Sequence, residues 1–351
     1  DSLPEKRALS LIYYKDGEGF KVSDEAVDFL TSIKEKVGVI VVAGKYRTGK
    51  SFLLNRVILN KIGEGFGVGP TINPCTKGLW VWNEIFETEY NGEKLKVIII
   101  DSEGIGAFDE DQNHDTKIFL FALLLSSYFI YNSMGTIDEN AINNLSLIIN
   151  LSKSLHIQSD TASEEDPDEL AKYFPRFLWV LRDFSLKLRD EYDNPINSKE
   201  YFENALLPQK GTSEKIESRN RIRRLIKHFF PDRDCATLVR PTEEETDLQS
   251  LQNLENDSLR PEFVDAADKL RKKIYKRVKP KTLNGKFITG EMLLELCHSY
   301  TKAVNKGTVP SIKNAWSYVC QNEWQRAIHE SSSRYEREMK DYMEAAKEAL
   351  N

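Results

Sequence analysis

The chain alternates short, uninterrupted apolar runs with longer segments of mixed polarity. Val-Gly-Val-Ile-Val-Val, ending at Val42, is the first run; residues 96–100 and 177–181 form the second and third. None alternates apolar with polar positions, and β-branched residues dominate the first two. That pattern predicts parallel strands buried on both faces. Residues 79–82 and 87–90 read as weaker flanking strands, with Asn91-Gly92 as a hairpin turn between strands. Helical stretches are expected at 51–61, 115–127, 137–155 and 218–229. The β/α alternation predicts an α/β domain with a mainly parallel central sheet flanked by helices. The most apolar stretch, residues 118–131, is interrupted by Ser126 and Ser127. It is too short to span a bilayer and reads as a buried helix.

The pattern changes after Pro280. From Thr289 onward no strand-like run occurs; residues 290–305 fit one helix closed by Gly307, and 311–350 fit a long second helix with Pro310 near its start. The end of that helix is rich in Glu, Lys, Arg, Ala and Met, as expected for a solvent-facing helix that continues or packs on something else. The expected division is an α/β domain over 1–285 and a helical segment over 286–351. Residues 159–169, with six acidic side chains and Pro167, read as an exposed loop.

Composition narrows the class. The 351 residues carry 49 Lys+Arg against 55 Asp+Glu, for a net charge of -6. Mixed signs and this balance argue against both a disordered chain and a broadly basic nucleic-acid binder. The opening Asp1-Ser2-Leu3-Pro4-Glu5 lacks the apolar stretch of a signal peptide. The four cysteines, Cys75, Cys235, Cys297 and Cys320, are far apart and form no CxxC. A reducing, cytoplasmic compartment is therefore expected. The sequons at Asn144, Asn150 and Asn256 read as chance matches in such a chain.

The chemistry concentrates in Gly44-Lys45-Tyr46-Arg47-Thr48-Gly49-Lys50-Ser51, which satisfies G-x-x-x-x-G-K-[ST]. At average residue frequencies a chain of this size meets that pattern by chance about once in a hundred. Here it also follows an apolar strand and opens an amphipathic segment. The glycines let backbone N–H groups curl around a phosphate, and the helix N-terminus adds partial positive charge. Lys50 would reach the β- and γ-phosphates, and Ser51 Oγ would bind Mg²⁺. Further on, Val97-Ile98-Ile99-Ile100-Asp101-Ser102-Glu103-Gly104 is an apolar strand ending in D-x-x-G. It places the Asp101 carboxylate at the sheet edge near the metal and the Gly104 N–H near the γ-phosphate. Thr76, between these motifs, has the hydroxyl and the order along the chain needed to cap the metal.

Two residues keep alternative readings. Arg47 lies within the phosphate loop, where it is either a solvated side chain or an arginine finger supplied in cis. Asp183 ends the third apolar run; it is either a strand-terminal salt-bridge partner or an acceptor for guanine N1–H and N2–H₂. The common Asn-Lys-x-Asp guanine motif is absent. Other patterns are decoys. The EF-hand-like start at Asp109 has His114 where Gly is needed and Leu120 where Glu is needed. The five His show no metal spacing, and most are expected at the surface. Residues 219–227 read as the solvated face of a basic helix, with a polar interface as the second reading.

Taken together, these residues resemble the guanylate-binding protein family of large, dynamin-related GTPases. The resemblance rests on the phosphate loop, on Cys75-Thr76-Lys77-Gly78-Leu79-Trp80-Val81-Trp82, on Asp101-Ser102-Glu103-Gly104, on the run from Leu125 through Tyr131-Asn132-Ser133 to Ile137, and on Leu181-Arg182-Asp183-Phe184-Ser185-Leu186. It implies a GTPase domain followed by the start of a helical middle domain. It implies GTP or GDP as ligand, Mg²⁺ as cofactor, and hydrolysis of GTP to GDP and in some members on to GMP. The nucleotide contacts it implies are Gly44, Lys45, Tyr46, Arg47, Thr48, Gly49, Lys50, Ser51, Phe52, Gly104, Arg182, Asp183, Arg240 and Pro241. The metal contacts are Ser51, Thr76 and Asp101, and the catalytic set is Arg47, Lys50, Thr76 and Glu103. The Arg182-Asp183 pair would read the base, Arg240-Pro241 would cover it, and Glu103 would position water.

The implied partner is a second copy, joined through the GTPase face in a nucleotide-dependent way, with membrane or pathogen-surface association through regions beyond these residues and no nucleic acid. One departure stands out. Animal members carry a catalytic serine two residues before the switch threonine, where this chain has Pro74. Proline offers neither hydroxyl nor N–H. Ser102 or Thr71 would have to substitute, or turnover would be lower, and a plant- or protist-like branch accommodates this better than an animal one. No C-terminal CaaX is present, and a fragment or an unusually short member is expected. A non-hydrolysing guanine-nucleotide switch and an adenine-nucleotide P-loop ATPase remain the alternatives.

Overall fold

A computed structural model describes residues 5–67, 78–102, 104, 112–146, 174–308 and 312–349. In chain order the strands are β1 (Ala8–Lys15), β2 (Gly19–Val22), β3 (Val37–Gly44), β4 (Leu79–Trp82), β5 (Phe86–Tyr90), β6 (Glu93–Ser102), β7 (Tyr128–Met134), β8 (Arg176–Arg182), β9 (Arg233–Thr237), β10 (Thr282–Leu283) and β11 (Lys286–Phe287). The helices are α1 (Val27–Thr31), α2 (Lys50–Leu53), α3 (Gln112–Leu125), α4 (Glu139–Asn143), α5 (Ser198–Ala205), α6 (Glu214–Phe229), α7 (Glu245–Leu248), α8 (Pro261–Arg277), α9 (Gly290–Asn305) and α10 (Ile312–Ala349).

Among the described residues nine strands build one sheet in the order β2-β1-β4-β6-β3-β7-β8-β9, with β5 paired to the first half of β6. The pairs β3–β6, β3–β7, β7–β8 and β8–β9 are parallel, while β1, β2, β4 and β5 join antiparallel at one side. All eight residues of β3 are buried, as its unbroken apolar run requires. Its side chains part to the two faces: Val39, Val41 and Ala43 join a core with α3 and α9, whereas Ile40 and Val42 pack against α2 and α8. This sandwich sets the C-terminal ends of β3, β6, β7 and β8 along one edge, where open α/β sheets bind their ligands. The β5–β6 hairpin turns at Asn91 and Gly92, both with positive φ, as expected for that dipeptide.

Several elements differ from expectation. The stretch read as one buried helix is two elements, α3 and β7, separated by Ser126 and Ser127. Ser126 Oγ donates back to Leu123 O, while Ser127 takes the chain into the sheet: its N–H donates to Val39 O, its Oγ accepts from Val39 N, and its hydroxyl donates to Lys279 O. Two hydroxyls that satisfy the backbone outside a helix are enough to end it. The helix expected at 51–61 is a single α-turn, α2, followed by a π-turn over Leu54–Ile58. Of the helix expected at 137–155, α4 and a 3₁₀ turn to Ser146 are seen, and the rest lies outside the described residues. Strands β1, β2, β7 and β9 and helix α8 were not expected at all.

The basic stretch 219–227 is only partly a solvated face. Ile222 and Ile226 are buried, and so is Arg223, which is ion-paired to Glu139 and donates to Ala205 O. His114 is buried too, stacked on Phe20 with Tyr14 at its edge, not on the surface. Helix α10 buries Ala315 and Val319 and ties to α9 through Asn322–Glu295 and Arg326–Glu291, while Trp324, Tyr335 and Tyr342 are largely exposed. No helix of the described residues is long and apolar enough to cross a membrane.

Candidate nucleotide-binding site

The loop between β3 and α2 carries the phosphate motif, and its backbone departs from ordinary geometry where the motif demands it. Gly44 has φ +154° and Gly49 φ +73°, and Arg47 itself is left-handed at φ +59°. A Cβ on Gly44 would sit 2.1 Å from Asn132 O, so no other residue fits beside β7. Gly49 caps α2 in the left-handed conformation. Lys50 is buried, and its ammonium donates to Lys45 O at 3.2 Å. Thr48 Oγ1 donates to the same carbonyl at 2.8 Å. The loop is thus folded around its own lysine.

Ser51 Oγ donates to Asp101 Oδ2 at 2.6 Å. This brings the first residue pair of the two motifs into one place: a hydroxyl on α2 and a carboxylate at the end of β6. Gly104 lies there as well, buried, where a Cβ would meet Tyr46 Cα at 2.5 Å and Lys50 Nζ at 2.9 Å. The D-x-x-G glycine therefore rests directly on the phosphate loop. Arg47 extends into solvent with its guanidinium over the Tyr46 ring, 5.4 Å from the centroid. Lys45 is exposed and Tyr46 half-buried.

The Arg182-Asp183 pair divides its work. Arg182 is buried; its Nη1 donates to Gly49 O at 3.1 Å and its guanidinium lies 5.1 Å from the Phe52 ring centroid. Burial pushes its pKa down to about 10, against the opposing pull of Asp183. Arg182 thus braces the phosphate loop from beneath. Asp183 is half-buried at the strand end, left-handed at φ +54°. Phe52 is buried and stacked on Phe263, which leaves only its backbone amide for a ligand. Leu238 N–H donates to Leu181 O, and Phe184 N–H to Leu238 O, so the segment leading to Arg240 runs beside Asp183. Arg240 pairs with Glu245 at 2.7 Å, and Pro241 is buried.

Thr76, Glu103 and the residues Thr71 and Pro74 lie outside the described residues. Ser102, the other candidate for the missing serine, is fully buried and its hydroxyl donates to Val42 O. A hydroxyl turned into the sheet in this way is poorly placed to activate water. Sequence reasoning gave Asn132 no chemical role. It is fully buried on β7 and its Nδ2 donates to both Thr48 O (2.8 Å) and Thr48 Oγ1 (2.9 Å). The available signal was an amide inside an otherwise apolar strand.

The site's outline agrees with comparisons across known proteins. Residues 17–283 match the family model of the guanylate-binding protein N-terminal domain, and residues 284–351 match the guanylate-binding protein C-terminal domain. The chain belongs to the guanylate-binding protein family. Guanylate-binding protein 7 of Mus musculus is 34% identical over 351 residues, covering 99% of this chain and 54% of the relative. Guanylate-binding protein 1 of Chlorocebus aethiops is 35% identical over 94% of this chain and 55% of its own length. Human guanylate-binding protein 5 is 34% identical over 95% and 56%. The chain spans about half the length of these guanylate-binding proteins.

Proposed function

We propose that this chain binds GTP and hydrolyses it to GDP. The observation that carries the reading is the convergence of Lys50, the Ser51–Asp101 pair and Gly104 on one turn, at the sheet edge that ends in Asp183. In this reading the loop amides and Lys50 hold the β- and γ-phosphates, and Asp183 accepts from the guanine edge. Arg182 keeps the loop and the base-reading strand end in register. Family membership supports guanine over adenine.

A hydroxyl and one carboxylate 2.6 Å apart are the hard oxygen donors Mg²⁺ takes from protein when phosphates and water complete its shell. No larger acidic or His/Cys cluster occurs among the described residues, and none is needed for this metal. Ser51 and Asp101 would hold it, with Thr76 added from the switch segment. Bound there, Mg²⁺ would neutralise charge on the phosphate oxygens. Arg47, exposed and resting on Tyr46, is free to swing onto the γ-phosphate as a finger in cis. Dimerisation through the GTPase face would order it, and Glu103 would position the attacking water. Cleavage past GDP to GMP is the finer step of this proposal. Pro74 favours a second reading, tight GTP binding without turnover.

Phosphate release from GTP and from ATP, with Lys50→Ala as control, separates these. Release from GTP well above both ATP and the control supports hydrolysis. Equal rates defeat it, and tight binding without release supports the switch. Size-exclusion with GDP plus aluminium fluoride against GDP tests the finger and the dimer together. A monomer in both removes dimer-assisted catalysis.

A further inference from the structure

The π-turn after α2 presents two buried polar side chains to two loops. Leu59 N–H reaches Leu54 O at 2.7 Å, the wide spacing of that turn. Asn55 on one side holds Phe66 by both backbone groups, accepting from its N–H at 2.8 Å and donating to its carbonyl at 2.9 Å. Arg56 on the other side is buried, and its Nη2 donates to Asn256 Oδ1 at 2.7 Å. Asn256 is exposed and opens a 3₁₀ turn, Asn256–Ser258. Two residues beyond that turn, Arg260 N–H donates to Pro241 O at 2.8 Å. A second tie joins the same region to the chain after the π-turn, from Gly63 N–H to Gln252 O at 2.7 Å. The segment anchored in this way begins at Leu238, whose backbone brackets Asp183 through Leu181 and Phe184.

We infer that Arg56 is a positioning residue for guanine-nucleotide retention: it ties the turn behind the phosphate loop to Asn256, and through it fixes the segment 238–260 beside Asp183. The inference rests on the reading of Asp183 as the base acceptor. A buried guanidinium is costly to place unless its protons are used, and charge-assisted bonds of this kind are stronger than neutral ones. Among the described residues its side-chain hydrogen-bond partner, Asn256, is on a different loop. The bond joins the π-turn to the Asn256 turn and involves no residue of the phosphate motif, so it serves the base end of the site. Loss of such a tether is read in the release rate.

The test is release of a fluorescent GDP and of the matching ADP from the full chain, in wild type, Arg56→Gln, Asn256→Ala, Asn256→Asp and the Arg56→Gln/Asn256→Ala double variant. Asn256 is exposed, so its variants fold even if Arg56→Gln does not. The expected result is GDP release faster by about three- to tenfold in both single removals, with a smaller change in kcat. GDP over ADP preference falls, Asn256→Asp retains wild-type release because its carboxylate still accepts, and the double variant is no faster than the worse single. Wild-type release from Asn256→Ala overturns the inference. So does an equal loss of GDP and ADP affinity in Arg56→Gln, which marks a general defect of the phosphate loop. A wild type that binds GDP and ADP alike instead defeats the guanine reading on which the inference rests.

Discussion

Asn132 Nδ2 donates to the carbonyl and to the hydroxyl oxygen of Thr48, at 2.8 and 2.9 Å, from a fully buried position on β7. Thr48 in turn donates to Lys45 O, the acceptor it shares with Lys50. One strand amide therefore sets the curl of the phosphate loop. Removing it leaves Thr48 O without its buried donor, which costs about 1–3 kcal/mol. Asn132→Ala is expected to weaken both GDP and GTP by about tenfold, and Asn132→Asp to weaken them at least as much, because a carboxylate would face the carbonyl. Fluorescent-nucleotide titration checks this; wild-type affinity in both variants sinks it.

Gly104→Ala probes the contact between the two motifs. The new Cβ would lie 2.5 Å from Tyr46 Cα, and backbone there has no free side chain to swing away. Either the loop or the end of β6 must shift. Turnover of GTP is expected to fall more than tenfold, since misplacement of about 1 Å at a reacting centre costs that order or more. GDP binding should suffer less, because in the proposed arrangement Gly104 faces the γ-phosphate, which GDP lacks. Steady-state hydrolysis beside GDP affinity distinguishes the two, and unchanged turnover contradicts the placement.

What the sequence revealed follows from where the information is local. The β3 run, the phosphate loop and the D-x-x-G strand were legible because each needs consecutive residues of one character. The β5–β6 hairpin was legible because Asn91-Gly92 requires positive φ. The division at Ser126 and Ser127 was not, because the partners of Ser127, Val39 and Lys279, are far along the chain. Strand β9, Arg-Asp-Cys-Ala-Thr, has no apolar run to mark it and is a strand only by pairing with β8. At the site, Asp183 and Lys50 were candidates from motif alone. The bracing roles of Asn132 and Arg182 became visible only through the fold, since each acts on a loop distant in sequence.

Asn305 repeats the arrangement of Asn55 at a different place in the fold. It accepts from Phe20 N at 2.8 Å and donates to Phe20 O at 2.7 Å, and Gly19 leaves room for it: a Cβ there would lie 2.5 Å from Asn305 Oδ1. The last turn of α9 is thereby fastened to the β1–β2 hairpin. Asn305→Ala removes both bonds and is expected to cost about 1–2 kcal/mol, a fall in Tm of roughly 1–3 °C for a chain of this size. Nucleotide affinity should not change, since Phe20 is remote from the phosphate loop in the sheet order. Thermal unfolding with and without GDP checks both halves; an unchanged Tm refutes the clamp.

Lys281 gives a pH signature to the junction between the two family-defined regions. It is buried, its Nζ donates to Ser126 O at 2.8 Å, and burial pushes its pKa down to about 7. Its backbone N–H also donates to Val37 O, so the residue sits at the base of β3. In the unfolded chain a lysine keeps its proton to about pH 10.4. Between about pH 7 and that value this group binds more protons in the unfolded state than in the folded state, so its contribution to stability rises with pH. Below about 7 both states are protonated and this contribution is flat. The slope from this one group is at most about 1.4 kcal/mol per pH unit. Lys281→Met keeps much of the volume without the charge. It is expected to raise Tm near pH 7 and to flatten the rise between pH 7.5 and 9.5 that Lys281 is expected to give wild type. Thermal melts across that range decide the matter: parallel Tm curves for wild type and Lys281→Met would show that the buried ammonium keeps its ordinary pKa.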